Sequence, residues 1–204
     1  VTVAAALDAE TSTSHNITIR ATSSDTSFST VTLSISVNDV DEFDTGAVTD
    51  SDGGANAVAE DATIGTTVGV TGLASDADVT DNVTYILDDD AGGLFAIDAN
   101  TGVVTVTGAL DYETASSHNI TIRATSTDGS FATEIFSISV TDVNESGVTA
   151  ISDTDGAADF VLENAAPDSV VGVTAVADDA DGTDTVSYTL DDDAGGRFTI
   201  DSNT

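Results

Sequence analysis

A repeat of 103 residues governs the whole chain. The string His15 to Arg20 (HNITIR) returns 103 positions later at His118 to Arg123. The string Leu87 to Gly93 (LDDDAGG) returns at Leu190 to Gly196 with the same offset. Self-similarity at a fixed period means that one structural unit is used more than once. The 204 residues therefore have to be built from copies of one small domain.

The phase of the repeat divides the chain into three predicted segments. Residues 1–42 form the C-terminal half of a repeat, residues 43–146 a complete repeat, and residues 147–204 the N-terminal half of another. One interpretation is that the chain is a slice of a longer array. The other is that the C-terminal half of one chain is completed by the N-terminal half of the next, in a head-to-tail filament. A half domain alone would leave strand edges and core side chains open.

The charge of the chain limits its partners. It has 37 acidic and three basic residues, a formal net charge of −34. Such a surface repels nucleic acid phosphates and anionic lipid headgroups, so neither nucleic acid nor direct membrane insertion of this segment is expected. Yet 40% of the residues are apolar and lie in patterned runs, which excludes an acidic disordered tail. Without cysteine, disulfides and thiolate sites are also excluded.

Short runs rich in Val, Ile and Thr, with mostly twofold periodicity and Gly, Asn or Asp between them, predict an all-β fold. About seven short strands in about 100 residues indicate a Greek-key β-sandwich. The predicted strands of the complete repeat are Thr67–Leu73, Val83–Leu87, Phe95–Ile97, Val103–Thr107, Ile120–Ala124 and Ala132–Thr141. The predicted core consists of Val68, Val70, Leu73, Val83, Tyr85, Phe95, Ile97, Val104, Val106, Leu110, Ile120, Ile122, Ala124, Phe136, Ile138 and Val140.

Acidic residues recur two positions apart, as in Asp76-Ala77-Asp78 and Asp111-Tyr112-Glu113. In an extended chain both side chains of such a pair point the same way, and their charges repel unless a cation lies between them. Ca²⁺ takes six to eight oxygen ligands in tolerant geometry, whereas zinc prefers His or Cys. The spacing therefore favours calcium. General halophilic acidity is the alternative explanation.

Five motifs, in order, resemble the cadherin repeat. They are Glu60, Asp76-Ala77-Asp78, Phe95-Ala96-Ile97-Asp98 with Thr101-Gly102, Leu110-Asp111-Tyr112-Glu113, and Asp142-Val143-Asn144-Glu145. Glu163 stands at the position of Glu60 in the next repeat, and the resemblance implies that it too is a candidate calcium ligand. The resemblance implies a cadherin/Ig-like sandwich with calcium between successive repeats. The near-identity of the repeats and the acidity resemble the cadherin-like arrays of giant bacterial adhesins of the RTX type.

The resemblance also implies two sets of calcium ligands. The set between the first and second segments is Asp8, Glu10, Asp39, Asp41, Glu42, Asp76 and Asp78. The set between the second and third is Glu60, Asp111, Glu113, Asp142, Asn144, Glu145, Asp179 and Asp181. Asp128 is a further candidate, although it is displaced by two positions from the family's late aspartate. Asp88-Asp89-Asp90 is interpreted as a solvated turn, and Asp153-x-Asp155-Gly156 as an incomplete EF-hand start.

No enzyme is expected, because paired acids that recur in every repeat suit a scaffold and no nucleophile or phosphate-loop motif is present. The predicted function is a calcium-stiffened stalk of an extracellular, membrane-associated adhesin that supports cell adhesion or biofilm attachment. Its partners would be neighbouring repeats of the same chain. The alternative is a module that binds polysaccharide or like repeats. Carbohydrate-binding faces usually expose aromatic side chains, and aromatic residues make up only 5% of this chain.

Overall fold

A computed structural model describes residues 1–203, which form twelve β-strands and no helix. The described residues therefore contain no helix that could cross a membrane. Thr204, the last residue of the predicted third segment, lies outside the described residues. The strands are β1 Ser14–Thr22, β2 Phe28–Ser36, β3 Thr49–Asp50, β4 Ala57–Ala59, β5 Thr67–Leu73, β6 Thr84–Asp89, β7 Phe95–Ile97, β8 Val103–Val106, β9 Ser117–Thr125, β10 Phe131–Thr141, β11 Ser152–Asp153 and β12 Ala175–Val176. The all-β prediction is confirmed.

The chain divides into two compact units. Unit 1 consists of Val1–Val58, Ala62–Ala109 and His118–Ser139, and unit 2 consists of Ala59–Asp61, Leu110–Ser117 and Val140–Thr204. This division does not follow the predicted repeat boundaries, which remain a prediction. Each unit holds one of the two predicted acidic sets.

Strands β3 to β10 form two four-stranded sheets, in the orders β4-β10-β9-β6 and β3-β5-β8-β7. Strands β5 and β7 have the predicted bounds, whereas β9 is longer at both ends. The short strands β3 and β4 were not predicted, because their sequences Thr-Asp and Ala-Val-Ala lack large apolar side chains at every second position. Asp88 and Asp89 belong to β6 instead of the predicted solvated turn. Asp88 forms an ion pair with Arg123 of β9, with an Nη2–Oδ2 distance of 2.7 Å.

Two strand pairs lie outside these sheets. In unit 1, β1 and β2 form an antiparallel hairpin in which Ile19 faces Val31. In unit 2, β11 pairs with β12, and Ser152 faces Val176. Thr49 faces Leu73 in the same way in the β3–β5 pair, 103 residues earlier. The repeat therefore reproduces strand register as well as sequence.

Alternating side chains of the sheets in unit 1 form its apolar core. The buried members are Val48, Val58, Val68, Val70, Ala74, Tyr85, Phe95, Val104, Val106, Ile120, Ile122, Ala124 and Ile138, together with Ala9. The buried apolar residues of unit 2 are Leu110, Val140 and Ala177. The prediction for Leu73 is wrong: it is exposed, because it is out of phase with the buried residues Val68 and Val70 of β5. Val83, Ile97 and Phe136 are only half-buried.

The Thr101-Gly102 pair closes the turn between β7 and β8. Asp98 Oδ1 accepts hydrogen bonds from the backbone N–H groups of Asn100 and Thr101, both at 2.9 Å. Gly102 follows with a φ of +72°, and a Cβ at this position would lie 2.0 Å from the carbonyl oxygen of Gly72. Only glycine fits, because both the backbone conformation and the close approach exclude a side chain.

Candidate metal centres

Acidic side chains gather into four clusters among the described residues. In each cluster, one carboxylate oxygen per residue lies within 4.8 Å of the others. Unit 1 holds cluster A (Glu10, Asp39, Glu42 and Asp78) and cluster B (Asp76, Asp81 and Asp128). Unit 2 holds cluster C (Glu60, Glu113 and Asp142) and cluster D (Asp179, Asp181 and Asp184). All ligand atoms in these clusters are carboxylate oxygens.

The aspartate of each Leu-Asp-x-Glu motif stabilises a turn. Asp8 accepts hydrogen bonds from the N–H (3.1 Å) and the hydroxyl (2.9 Å) of Thr11. Asp111 accepts the same pair from Thr114, at 2.9 and 2.8 Å. These bonds hold the pKa of both aspartates below its usual value, with the threonine hydroxyl as the main cause. The turns place Glu10 and Glu113, two residues later, in clusters A and C.

The second aspartate of each Asp-Ala-Asp motif is buried and holds backbone N–H groups. Asp78 accepts from the N–H of Phe43 at 2.9 Å and more weakly from that of Glu42 at 3.4 Å. Asp181 accepts from Ser146 at 3.0 Å and from Glu145 at 3.2 Å. The positions are equivalent by the 103-residue offset. One acidic arrangement is thus built twice.

Glu60 is the most enclosed member of cluster C. Its Oε2 accepts a hydrogen bond from the N–H of Tyr112 at 2.6 Å, and its Oε1 accepts one from the N–H of Val143 at 2.8 Å. These bonds lower the pKa of Glu60, and the bond from Tyr112 has the larger effect. Glu60 is therefore held as a carboxylate between the two motifs that carry the other members of its site.

The surrounding acids repel one another. Burial, followed by the charges of Glu60 and Glu113, raises the pKa of Glu145 to about 7. In unit 1, burial and then the charge of Asp78 raise the pKa of Glu42. Burial and then the charge of Asp128 raise the pKa of Asp41. Burial disfavours the charged form of these three carboxyl groups, and the neighbouring negative charges add to that effect.

Three buried carboxylate oxygens have no hydrogen-bond partner in the described residues: Asp39 Oδ1, Asp76 Oδ2 and Asp142 Oδ1. The other oxygen of Asp39 accepts from the Thr80 hydroxyl at 2.7 Å, and Asp142 Oδ2 accepts from the Thr183 hydroxyl. A buried oxygen without a partner is costly, so these atoms are suited to a cation. The oxygen-only donor set fits a hard cation such as Ca²⁺ and does not fit zinc.

Three further predicted residues differ in their relation to the clusters. Asn144 donates a hydrogen bond from Nδ2 to Asp184 Oδ2 at 2.8 Å. Asp128 belongs to cluster B and also accepts from the N–H of Ser130 at 2.7 Å. Glu163 is exposed and belongs to none of the clusters in the described residues.

Sequence reasoning missed Asp81 and Asp184. Each stands three residues after the second aspartate of Asp-Ala-Asp, so the longer pattern Asp-Ala-Asp-x-x-Asp would have found both. A hydrogen bond between the N–H of residue 81 and the carbonyl of Asp78 closes this turn at 3.1 Å, and the pair Asp184 and Asp181 repeats it at 3.1 Å.

Comparisons of the sequence with known proteins give matches to cadherins. The family model of the cadherin domain matches residues 54–141. Human Protocadherin Fat 4 is 39% identical over 126 residues, which are 61% of this chain and 2% of Fat 4. Mouse Cadherin-20 is 42% identical over 101 residues, 47% of this chain and 12% of that protein. The chain thus spans a small fraction of these relatives.

Solved structures give the same fold. The structure of mouse Cadherin-23 EC22-24 superposes with a TM-score of 0.65 and 25% identity, covering 97% of this chain and 64% of that one. The extracellular domain of Protocadherin GammaB4 superposes with a TM-score of 0.66 and 23% identity, covering 87% of this chain and 28% of that one. The match to the cadherin domain model covers residues 54–141, the segment that contains strands β4 to β10, so this segment is similar to a cadherin domain.

Proposed function

We propose that this chain is a calcium-stiffened spacer of an extracellular adhesin, built from cadherin repeats. The observation that carries the proposal is the set of buried, unpartnered oxygens on Asp39, Asp76 and Asp142. Two of these, Asp39 and Asp142, stand at equivalent positions of the repeat. A buried oxygen without a hydrogen-bond partner, at the same position of two repeats, supports a shared role in binding. A bound cation would provide the missing contact.

The proposed ligands are the two sets named from the sequence and Asp128, extended by Asp81 and Asp184, and they exclude the exposed Glu163. Burial and then neighbouring negative charges raise the pKa values of Glu42 and Glu145, and calcium bound to the proposed ligands would offset this charge repulsion. The chain's own residues prepare the site. Backbone N–H groups orient Glu60, Asp78 and Asp181. The threonine hydroxyls bind one oxygen of Asp39 and Asp142 and leave the other free.

The consequence of binding would be mechanical. Without cations, the acidic segments that follow β2 and β10 repel their neighbours and remain free to bend. A cation joins oxygens from a Leu-Asp-x-Glu turn, a linker and an Asp-Ala-Asp turn, so it removes this freedom. Calcium also stabilises the folded state by mass action. Extracellular modules bind calcium with dissociation constants of about 10⁻⁴–10⁻³ M, so such a site fills outside the cell.

The decisive experiment compares Ca²⁺ with matched ionic strength. Millimolar CaCl₂ is expected to raise the melting temperature and lengthen the chain in small-angle scattering, and EDTA is expected to reverse both effects. Asp142→Asn should weaken the response, whereas Asp52→Asn, in an exposed loop outside the clusters, should not. If NaCl at equal ionic strength reproduces the effect of CaCl₂, the acids are a halophilic surface and the proposal fails.

The wider setting is an extension of the proposal. The similarity of the repeats and the charge of −34 resemble giant bacterial adhesins of the RTX type, in which a long stalk would hold a distal domain away from the cell. We extend the proposal to such a stalk at the cell surface, with a role in cell or biofilm attachment and no catalysis. Binding of a fluorescent antibody to intact, unpermeabilised cells tests the location.

A binding module is the second candidate, and one exposed aromatic side chain favours it. Phe131 at the start of β10 is exposed, and the guanidinium of Arg123 lies 4.7 Å from the centre of its ring. An accessible aromatic face beside polar groups is suited to stacking on sugar rings. A glycan array would test this. A signal that is lost with Phe131→Ala would rank binding above the spacer role, and an array without signal would remove the candidate.

A further inference from the structure

Thr45, near the start of the predicted complete repeat, is bound to the turn between β9 and β10, which consists of residues 126–130. Its backbone N–H donates to Ser130 Oγ at 2.8 Å, and its hydroxyl donates to the Ser130 carbonyl oxygen at 3.0 Å. The two hydroxyl oxygens also lie 2.8 Å apart. Thr45 is buried, and both residues belong to unit 1. Three short contacts thus join Thr45 to a single residue of this turn.

The hydroxyl hydrogens of this pair can be assigned, because each hydroxyl has one hydrogen and a carbonyl oxygen only accepts. The Thr45 hydrogen points to the Ser130 carbonyl, so the contact between the two hydroxyls uses the Ser130 hydrogen. The Ser130 hydroxyl accepts from the Thr45 N–H and donates to the Thr45 hydroxyl. Each donor of this closed ring is used once, and the bonds of such a ring strengthen one another. The ring therefore holds the Ser130 hydroxyl hydrogen away from other acceptors.

Ser27, the counterpart of Ser130 in the first segment, shows a different arrangement of the same hydroxyl. It donates to Asp25 Oδ1 at 2.6 Å, and the Ser27 N–H donates to the same oxygen at 3.0 Å. The hydroxyl is the main cause that lowers the pKa of Asp25. Asp128, the counterpart of Asp25, keeps the bond from the backbone N–H of Ser130, at 2.7 Å, while the hydroxyl of Ser130 is bound to Thr45. The serine hydroxyl thus has two alternative partners, the aspartate or the threonine.

The choice between these partners affects cluster B. Asp128 is a member of this cluster, together with Asp76 and Asp81. The buried oxygen Oδ2 of Asp76 has no hydrogen-bond partner in the described residues. A hydroxyl that donated to Asp128, in the arrangement of Ser27, would stabilise the negative charge and occupy one carboxylate oxygen. The carboxylate would then gain less from a cation.

We propose that Thr45 is a positioning residue of cluster B, which holds the Ser130 hydroxyl and thereby leaves the Asp128 carboxylate available to a cation. The inference rests on the proposed binding of calcium, and Thr45 itself contributes no ligand. Groups that orient a metal ligand change the affinity by about 10- to 100-fold when they are removed. An effect at the lower end, about tenfold, is expected for Thr45, because Asp128 is exposed and is one of three acids in the cluster.

The test titrates Ca²⁺ into the full chain and follows the backbone amides of residues 128 and 129 by NMR. Thr45→Val removes the threonine hydroxyl, releases that of Ser130, and is expected to raise the calcium dissociation constant at cluster B about tenfold. Thr45→Ser keeps the hydroxyl and should bind calcium like the wild type. Thr49→Val is the matched control, because the exposed Thr49 hydroxyl donates to the Leu73 carbonyl, outside the clusters.

A double variant separates the proposed role from a loss of packing. Thr45→Val combined with Ser130→Ala has no hydroxyl that could occupy Asp128, so it should recover most of the lost affinity. A residue that merely supports the fold predicts the opposite, because the second substitution removes a further hydrogen-bonding group. The proposal is overturned if Thr45→Val binds calcium like the wild type, or if the double variant binds as weakly as Thr45→Val.

Amide hydrogen exchange in EDTA tests the ring of hydrogen bonds separately. The Thr45 N–H should be protected in the wild type and in Thr45→Ser, and less protected in Ser130→Ala, which lacks its acceptor. A wild-type amide that exchanges freely would overturn the proposal whatever calcium does. If the amide is protected but the wild type binds no calcium, the proposed function fails and this inference with it. If the wild type binds calcium and Thr45→Val binds it equally well, only this inference fails.

Discussion

Strands β1 and β9 have the same nine residues, SHNITIRAT, but different surroundings. Both are extended and both pair with the following strand of a hairpin. In β9 every second side chain from Ile120 to Ala124 is buried, whereas in β1 only Ile17 is even half-buried. The comparison teaches that the local sequence determines the strand, while burial depends on which other strands are present.

Truncation of the same isoleucine in the two strands should give the largest contrast. Ile122→Ala removes a fully buried side chain and is expected to lower the free energy of unfolding by about 2–5 kcal/mol. Ile19→Ala removes a partly exposed one and should cost less than about 1 kcal/mol in dilute solution. Urea denaturation followed by circular dichroism measures both. Equal losses would show that β1 is packed as well as β9.

The segments around Glu60 and Glu163 occupy the same position of the repeat but differ in burial. Glu60 is buried and belongs to cluster C, whereas Glu163 is exposed and belongs to none of the clusters in the described residues. Glu60→Gln removes a carboxylate that holds two backbone N–H groups, and is expected to raise the calcium dissociation constant of unit 2 about tenfold or more. Isothermal titration calorimetry measures this change.

Glu163→Gln is the matched control for that variant, because Glu163 occupies the same motif position but is exposed. It should leave both the affinity and the stoichiometry for calcium unchanged. If the two variants behave alike, burial at the Glu60 position does not contribute to calcium binding.

The hairpin turns provide a smaller contrast. Thr26 in the β1–β2 turn has a φ of 75°, and its counterpart Gly129 has a φ of 99°. Left-handed backbone costs a non-glycine residue roughly 1–2 kcal/mol. Gly129→Thr should therefore lower the melting temperature of the sandwich, and Thr26→Gly should stabilise the β1–β2 hairpin. Thermal unfolding tests the first, and amide hydrogen exchange in β1 tests the second. Unchanged exchange in Thr26→Gly would mean that the turn does not limit hairpin stability.

The smallest contrast concerns the two equivalent arginines. Arg123 donates to Asp88 Oδ2 from Nε at 2.9 Å and from Nη2 at 2.7 Å. Arg20 lies over the Phe28 ring at 4.2 Å and forms no ion pair with the described residues. Arg123→Lys should cost about 0.2–1 kcal/mol, less at high salt, because surface pairs are weak and screened. Arg20→Lys should show no salt-dependent loss, and urea denaturation at two salt concentrations distinguishes the variants.

The sequence alone was sufficient to predict the strands with clear alternation and to identify the pairs of acidic residues. It placed β5 and β7 correctly because the apolar residues repeat at every second position and turn residues bound the runs. It could not separate Glu60 from Glu163, since the motif is the same and only the completed packing buries one of them. It included Leu73 in the core because the residue is large and apolar, although it is out of phase with Val68 and Val70 in the alternation of β5.

The shared register of β3–β5 and β11–β12 has a consequence for the gene. Removing any 103 consecutive codons would join the residue before the deletion to the residue that normally follows its equivalent in the next repeat. Strand order and pairing would therefore be unchanged. Duplicating the same length would preserve them equally. A chain built from such repeats is able to shorten or grow by whole repeats without passing through a product that contains a broken sandwich.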